Sequence, residues 1–192
     1  MFLQAGIKDV IWELLATKTK GDKDLLTSLM LMDKTNFFTQ ELDEALLQKR
    51  CDVVIHSAKD MPDPLPEGLT LAHLTESIDP RDVLVYNEET EAPHIGVSSP
   101  RRVDAIKTLY PKATYSDIRG TINHRLAQLD NGDFDGVVMA EAALVRLRLN
   151  RKRKYLNCEA APLQGQLALV CREGDTETKQ LLEVLRATTA GA

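Results

Sequence analysis

The sequence predicts an α/β protein built on mostly parallel sheets, and three observations lead to that class. Short apolar runs such as 51–55 (CDVVI) and Gly136–Ala140 (GVVMA) have the length and composition of buried strands. Segments with apolar residues at helical spacing separate them, so strands and helices alternate along the chain. The third observation is negative: no apolar run approaches the roughly 20 residues that cross a bilayer.

The first run, 10–17 (VIWELLAT), starts with β-branched residues and stops before the turn signal Gly21–Asp22. It is expected as a strand with Trp12 in the core. Phe38, Leu42, Ala45 and Leu46 share a face of a helix expected over 37–49, with Thr39 at its N-terminus. The strand 51–55 leads into His56, Ser57, Ala58, Lys59 and Asp60, and then into Pro62, Pro64 and Pro66. Those prolines can continue neither a helix nor a central strand. Any chemistry on His56 to Asp60 therefore sits at the carboxyl end of a strand, where open α/β sheets bind ligands. His56 is expected to bond to backbone there.

Residues 69–74 read as a further strand, 76–82 (ESIDPRD) as a polar crossing, and 83–86 as the next strand. A strand over 94–97 ends in Ser98, Ser99, Pro100, Arg101 and Arg102, and a helix follows to about Tyr110. Ser98 or Ser99 is suited to cap that helix with its hydroxyl, and proline fits its first position. The unit repeats: 114–118 extended, a break at Gly120, a helix over 121–129, the strand Gly136–Ala140 and a helix over 141–149. A strand over 167–171 and a helix over 176–187 close the chain, and the basic run 151–154 is expected as a solvated loop.

Composition narrows the function. With 43% hydrophobic and 28% charged residues the chain is ordinary for a globular protein. A net charge of −5 argues against a general nucleic-acid binder. Cys51, Cys158 and Cys171 lack CxxC spacing and are expected as reduced thiols. No secretory leader follows Met1, so a cytoplasmic location is expected. The four histidines have no metal-ligand spacing, and no phosphate-binding glycine loop or serine elbow is present. No metal is expected.

Charged residues at strand ends remain. Lys59–Asp60 reads either as a loop salt bridge or as a carboxylate kept ionised beside an ammonium, able to stabilise a cation or move a proton. Ser98, Ser99, Arg101 and Arg102 read either as a capped helix with exposed arginines or as an anion site. Paired guanidiniums suit carboxylates because their planar forks donate two parallel bonds. Arg119, Gly120 and Arg125 follow the next strand, with Gly120 able to let backbone approach a ligand. An acidic strand end in one half and arginines in the other favour a cleft for a ligand with several carboxylates.

The same residues carry a resemblance to porphobilinogen deaminase (hydroxymethylbilane synthase). His56-Ser57-Ala58-Lys59-Asp60-Met61-Pro62 is similar to that family's HSxKDxP, Asp79 to Asp82 to its DPRD, and Ser98 to Arg102 to its SSxRR. Arg119–Gly120 and the stretch from Arg125 to Gly136 resemble its RG and RLxxLDxGxxDA segments. Thr19 to Asp22, Phe38 to Leu42 and Ala161 to Gly165 resemble TRGD, FTKEL and APGQG. The likeness covers about 7–190.

That resemblance implies a two-lobed fold like the type II periplasmic binding proteins, with mixed, mostly parallel sheets and a hinge. One lobe would hold 1–77 and 165–190, the other 82–160. The implied activity joins four porphobilinogen units head to tail with release of ammonia, in tetrapyrrole biosynthesis. Asp60 would be the catalytic carboxylate. Lys59, Ser98, Ser99, Arg101, Arg102, Arg119, Gly120, Arg125 and Gln164 would hold porphobilinogen or oligopyrrole carboxylates, with no nucleic acid or membrane partner. The family's dipyrromethane cofactor hangs from a cysteine in a third, C-terminal domain, which is expected to be absent here, as is the family's first strand. Cys51, Cys158 and Cys171 match no such position, and Thr35 stands where the family's GxKxLF segment has lysine, with Lys34 one residue early. The alternative expectations are a cleft protein that binds an anionic small molecule without turnover, and a scaffold using 151–154.

Overall fold

The computed structural model describes residues 10–24 and 36–189. They divide into two compact units: 10–23, 36–76 and 166–189 in the first, and 24 with 77–165 in the second. The expectations for Lys34, Thr35 and the first strand lie outside the described residues.

The first unit has a three-stranded sheet in the order β1 (Val54–Ser57), β8 (Leu167–Arg172), β2 (Leu69–Leu74). Both outer strands run antiparallel to β8, with Val54 opposite Val170 and Leu74 opposite Ala168. β8 is central and covered on both faces, so it reads as a continuous apolar run, and Ala168 to Cys171 are all fully buried. Its alternation splits the core. Val170 packs with Val54, Leu69 and Leu46 of α2 (Gln40–Leu47), while Leu169 packs with Trp12 and Leu182 of α6 (Thr176–Thr189). Each fully buried aliphatic side chain contributes about 1.5–3 kcal/mol.

The second unit has five strands in the order β5 (Thr114–Ser116), β4 (His94–Gly96), β6 (Gly136–Ala140), β3 (Asp82–Tyr86), β7 (Arg153–Tyr155). β4 is parallel to β5 and β6, whereas β3 is antiparallel to both β6 and β7. Period-2 alternation again sorts the core. Val83, Val85, Val137 and Met139 face Leu126 and Leu129 of α4 (Ile122–Asp130) and Leu144 of α5 (Glu141–Leu147). Leu84, Ile95 and Val138 face Ile106 of α3 (Pro100–Leu109).

Four expectations change. The sheets are mixed, but strand–helix alternation overstated parallel pairing: the β4 ladders are parallel, and the other pairings are antiparallel. Every antiparallel pairing involves β3 or β8, the two strands that the chain enters on passing from one unit to the other. Second, 10–17 forms no strand, and Ile11 and Leu14 are 98% and 90% exposed while Trp12 is partly buried. Thr19 to Lys23 instead begin α1 (Lys20–Lys23) with reciprocal bonds between Thr19 and Asp22.

Third, the basic run is not a free loop. Arg153–Tyr155 is the edge strand β7, and Arg151, Arg153 and Lys154 pair with Asp130, Glu141 and Glu89. Charged residues suit a sheet edge because they discourage further pairing. Fourth, His56 lies within β1, where its Nε2 meets the Asp43 carboxylate of α2 at 3.0 Å, with both side chains buried. Among the described residues no helix is long and apolar enough to cross a membrane.

Candidate functional site

Strand direction decides where the charged side chains gather in the second unit. Because β4, β5 and β6 are parallel, their carboxyl ends share one edge. Ser98 to Arg102 leave β4 there, and Arg119–Gly120 follow β5. β3 runs the other way, so its first residue, Asp82, lies opposite Ala140 at the end of β6. An acidic amino end thus joins the basic carboxyl ends.

Asp82 is the centre of this cluster, and its side chain is 0% exposed. Its Oδ2 accepts from Arg101 Nη2 and its Oδ1 from Arg102 Nη2, each at 2.6 Å. Gln164 Nε2 donates to Oδ1 at 3.0 Å and to the Pro80 carbonyl at 2.5 Å, and the Cys158 thiol lies 3.7 Å from Oδ2. Burial alone raises the carboxyl's pKa, but Arg102 and then Arg101 hold it below the ordinary range. Arg101 also donates to Cys158 Sγ at 3.2 Å and to the Glu159 carbonyl. The sequence placed Asp82 in a recognisable DPRD string, but a polar crossing gave no sign that two arginines share its carboxylate.

The predicted serines act differently from expectation. Ser99 is the N-terminal residue of α3, but its hydroxyl makes no capping bond; its carbonyl accepts from the amides of Arg102 and Val103. The Ser98 hydroxyl donates to the Ile118 carbonyl, tying the end of β4 to the segment after β5. Pro100 occupies the first helical turn as expected.

Arg119 and Arg125 complete the basic group. Arg119 is buried and its Nη2 donates to the Asp24 carbonyl at 2.8 Å. Arg125, on the first turns of α4, donates from Nε to the Gly120 carbonyl at 2.8 Å. Burial, and then the nearby Arg102 and Arg119 charges, push Arg125 down to about 10, against the pull of Asp117. Arg102 Nε is buried without a hydrogen-bond partner. Gly120 has φ +103°, which a side chain would strain, and the space beside its Cα holds the His124 ring where a ligand had been expected.

In the first unit, Lys59 and Asp60 form a 3-10 turn (Ala58–Asp60) directly after β1. The Ala58 amide donates to the Gln166 carbonyl at 3.1 Å, which fixes the turn against the chain entering β8. Lys59 is half-buried and Asp60 is exposed. Gln164 lies in the second unit with its amide committed to Pro80 and Asp82. The following residue, Gly165, has φ +82° and an approach of 2.6 Å from a Cβ position to the Asp79 carbonyl, so only glycine fits.

Comparison with known proteins agrees with these motifs. Residues 2–180 match the family model described as "Porphobilinogen deaminase, dipyromethane cofactor binding domain". The porphobilinogen deaminase of Nostoc sp. is 37% identical over 198 residues, covering 96% of this chain and 60% of that protein. A probable porphobilinogen deaminase of Chlamydia trachomatis is 42% identical, covering 83% of this chain and 68% of that protein. The chain thus spans about 60% of the length of the Nostoc relative. Among solved structures, an amino-acid transporter substrate-binding protein from Streptococcus pneumoniae gives a TM-score of 0.45 at 17% identity over 77% of this chain and 65% of that one. The family match extends over nearly the whole chain and includes every motif described above: this chain belongs to the porphobilinogen deaminase family.

Proposed function

We propose that this chain carries the substrate-binding and catalytic residues for joining porphobilinogen units head to tail into hydroxymethylbilane, a cytoplasmic step of tetrapyrrole biosynthesis. One observation carries the reading: Arg125 is a partly buried cation held by a carbonyl beside two further guanidiniums. Such a group is stabilised by an anion, and pyrroles bearing acetate and propionate supply several. The unpartnered Arg102 Nε is a further donor for the same ligand.

The residues fit the family's dipyrromethane as well, because it bears the same carboxylates. Arg101, Arg102, Arg119 and Arg125 would hold its side chains, with the Ser98, Ser99 and Gly120 region lining them. When bound, that group offers a pyrrole carbon on which chain growth starts. No cysteine here is proposed as its attachment point. Cys171 is fully buried, and burial pushes the thiols of Cys51, Cys158 and Cys171 up, away from thiolate.

Asp60 is the proposed catalytic carboxylate. It stabilises the cation left on the substrate when its carbon–nitrogen bond breaks and ammonia departs, and it holds the pyrrole N–H proton during bond formation. Its exposure at the end of β1, on a turn anchored by Ala58 and Gln166, leaves the carboxylate open to a ligand. Asp60→Asn in the complete natural protein should lower kcat by about 10²–10³-fold, the usual loss when a preorganised electrostatic group is removed. The measurement is ammonia release from porphobilinogen, with intact mass following added pyrrole units. Unchanged turnover would remove Asp60 from the mechanism, and reversible binding without consumption in the wild type would make the protein a non-catalytic binder.

A further inference from the structure

We propose that Asp82 is a positioning residue for the arginines: its single carboxylate sets the orientation of Arg101 and Arg102 toward a carboxylate ligand. The proposal rests on the reading above that these arginines hold ligand carboxylates. Arg101 and Arg102 are consecutive on α3, so their side chains leave the helix about 100° apart. A common anchor is needed to bring both guanidiniums to one place. Asp82 supplies it, with one oxygen for each at 2.6 Å.

The anchor is itself fixed. Asp82 begins β3 and is held in register opposite Ala140, and the buried Gln164 amide bonds the oxygen that Arg102 also uses. Gln164 is tied in turn to the Pro80 carbonyl. A buried ion pair is a poor source of net stability, because desolvation offsets most of the attraction. Orientation is the better account of this one. The stoichiometry supports it, since one carboxylate between two guanidiniums leaves a positive charge for a ligand. Arg101 spends Nη1 on Cys158 and the Glu159 carbonyl besides Nη2 on Asp82, whereas in Arg102 the buried Nε has no partner.

Asp82→Asn separates orientation from charge. The substitution makes the cluster more positive by one unit, so charge alone predicts tighter binding of an anionic substrate. Loss of orientation predicts weaker binding. In the complete natural protein, KM for porphobilinogen should rise about 10-fold, the equivalent of about 1.4 kcal/mol, while kcat stays within about threefold. Asp82→Glu, which keeps the charge but lengthens the arm, should raise KM less. Gln164→Met, which removes one bond to the anchor, should raise it by a few-fold.

An unchanged or lower KM in folded Asp82→Asn overturns the proposal. If that variant fails to fold, an unchanged KM in folded Asp82→Glu overturns it instead. Arg102→Met separates this idea from the reading beneath it. If Arg102→Met weakens porphobilinogen binding and the Asp82 variants do not, the positioning role alone falls. If Arg102→Met leaves binding intact, the ligand-binding assignment falls with it.

Discussion

Arg125 and Leu163 each hold a conformation or charge that the fold alone does not favour, and each gives a stability measurement. Arg125 is cationic in a partly buried setting where two other guanidiniums repel it and Asp117 only partly compensates. Arg125→Met keeps the aliphatic packing of the side chain and removes that cost. It should stabilise the ligand-free protein by about 0.5–2 kcal/mol in urea unfolding, less what the lost bond to the Gly120 carbonyl contributes, while weakening the proposed binding of porphobilinogen. Leu163 sits at φ +60°, left-handed backbone that costs a residue with a Cβ about 1–2 kcal/mol. Glycine relieves the strain but adds about 0.4–1 kcal/mol of unfolded-chain entropy, so Leu163→Gly should stabilise by up to about 1.5 kcal/mol. Leu163 is exposed, so little packing is lost; a thermal melt decides the sign. The family's APGQG string has glycine at that place, a local cue the sequence did offer.

At the scale of elements, α3 links the core to the arginines. Its Ile106 is fully buried against Leu84, Ile95, Val97 and Val138, and its first turn carries Arg101 and Arg102. Ile106→Ala should cost about 2–5 kcal/mol by chemical denaturation, the range for a large-to-small change in a packed core. Where the remaining stability keeps the protein folded, α3 seats less firmly, and the proposed binding of porphobilinogen should weaken with it. The helices α3 and α4 and the strands β3 and β6 were legible because their apolar residues repeat at the spacing of their geometry. β7 was not. Arg153, Lys154 and Tyr155 look like a solvated loop until β3 presents an unpaired edge to them. The segment 10–17 shows the reverse error, since β-branched residues favour a strand only through their tertiary context.

For the molecule as a whole, acid stability follows from the carboxylates held below their ordinary pKa. Glu89, Asp79, Asp130 and Asp175 are at or near the surface, where solvent screening leaves little stabilisation. Asp82 is buried, so its pairs dominate. Its folded pKa is depressed from an ordinary 3.8, and its contribution is therefore fully present above that value and lost as pH falls through the folded one. The stability difference between wild type and Asp82→Asn should be constant above about pH 5 and shrink below about pH 4, by denaturant titration at each pH. The sequence alone determined the α/β class, most element positions and the family, because periodicity and contiguous motifs are properties of local chain order. It also named the charged strand ends, since each lies directly beside its strand. Only the tertiary structure decided strand direction, and with it that Asp82 at an amino end meets Arg101 and Arg102 at a carboxyl end. It likewise gave His56 to Asp43 and Gln164 to Asp82. Those pairings join residues 13 to 82 positions apart, and no local pattern in a single chain encodes which distant carboxylate a side chain will meet.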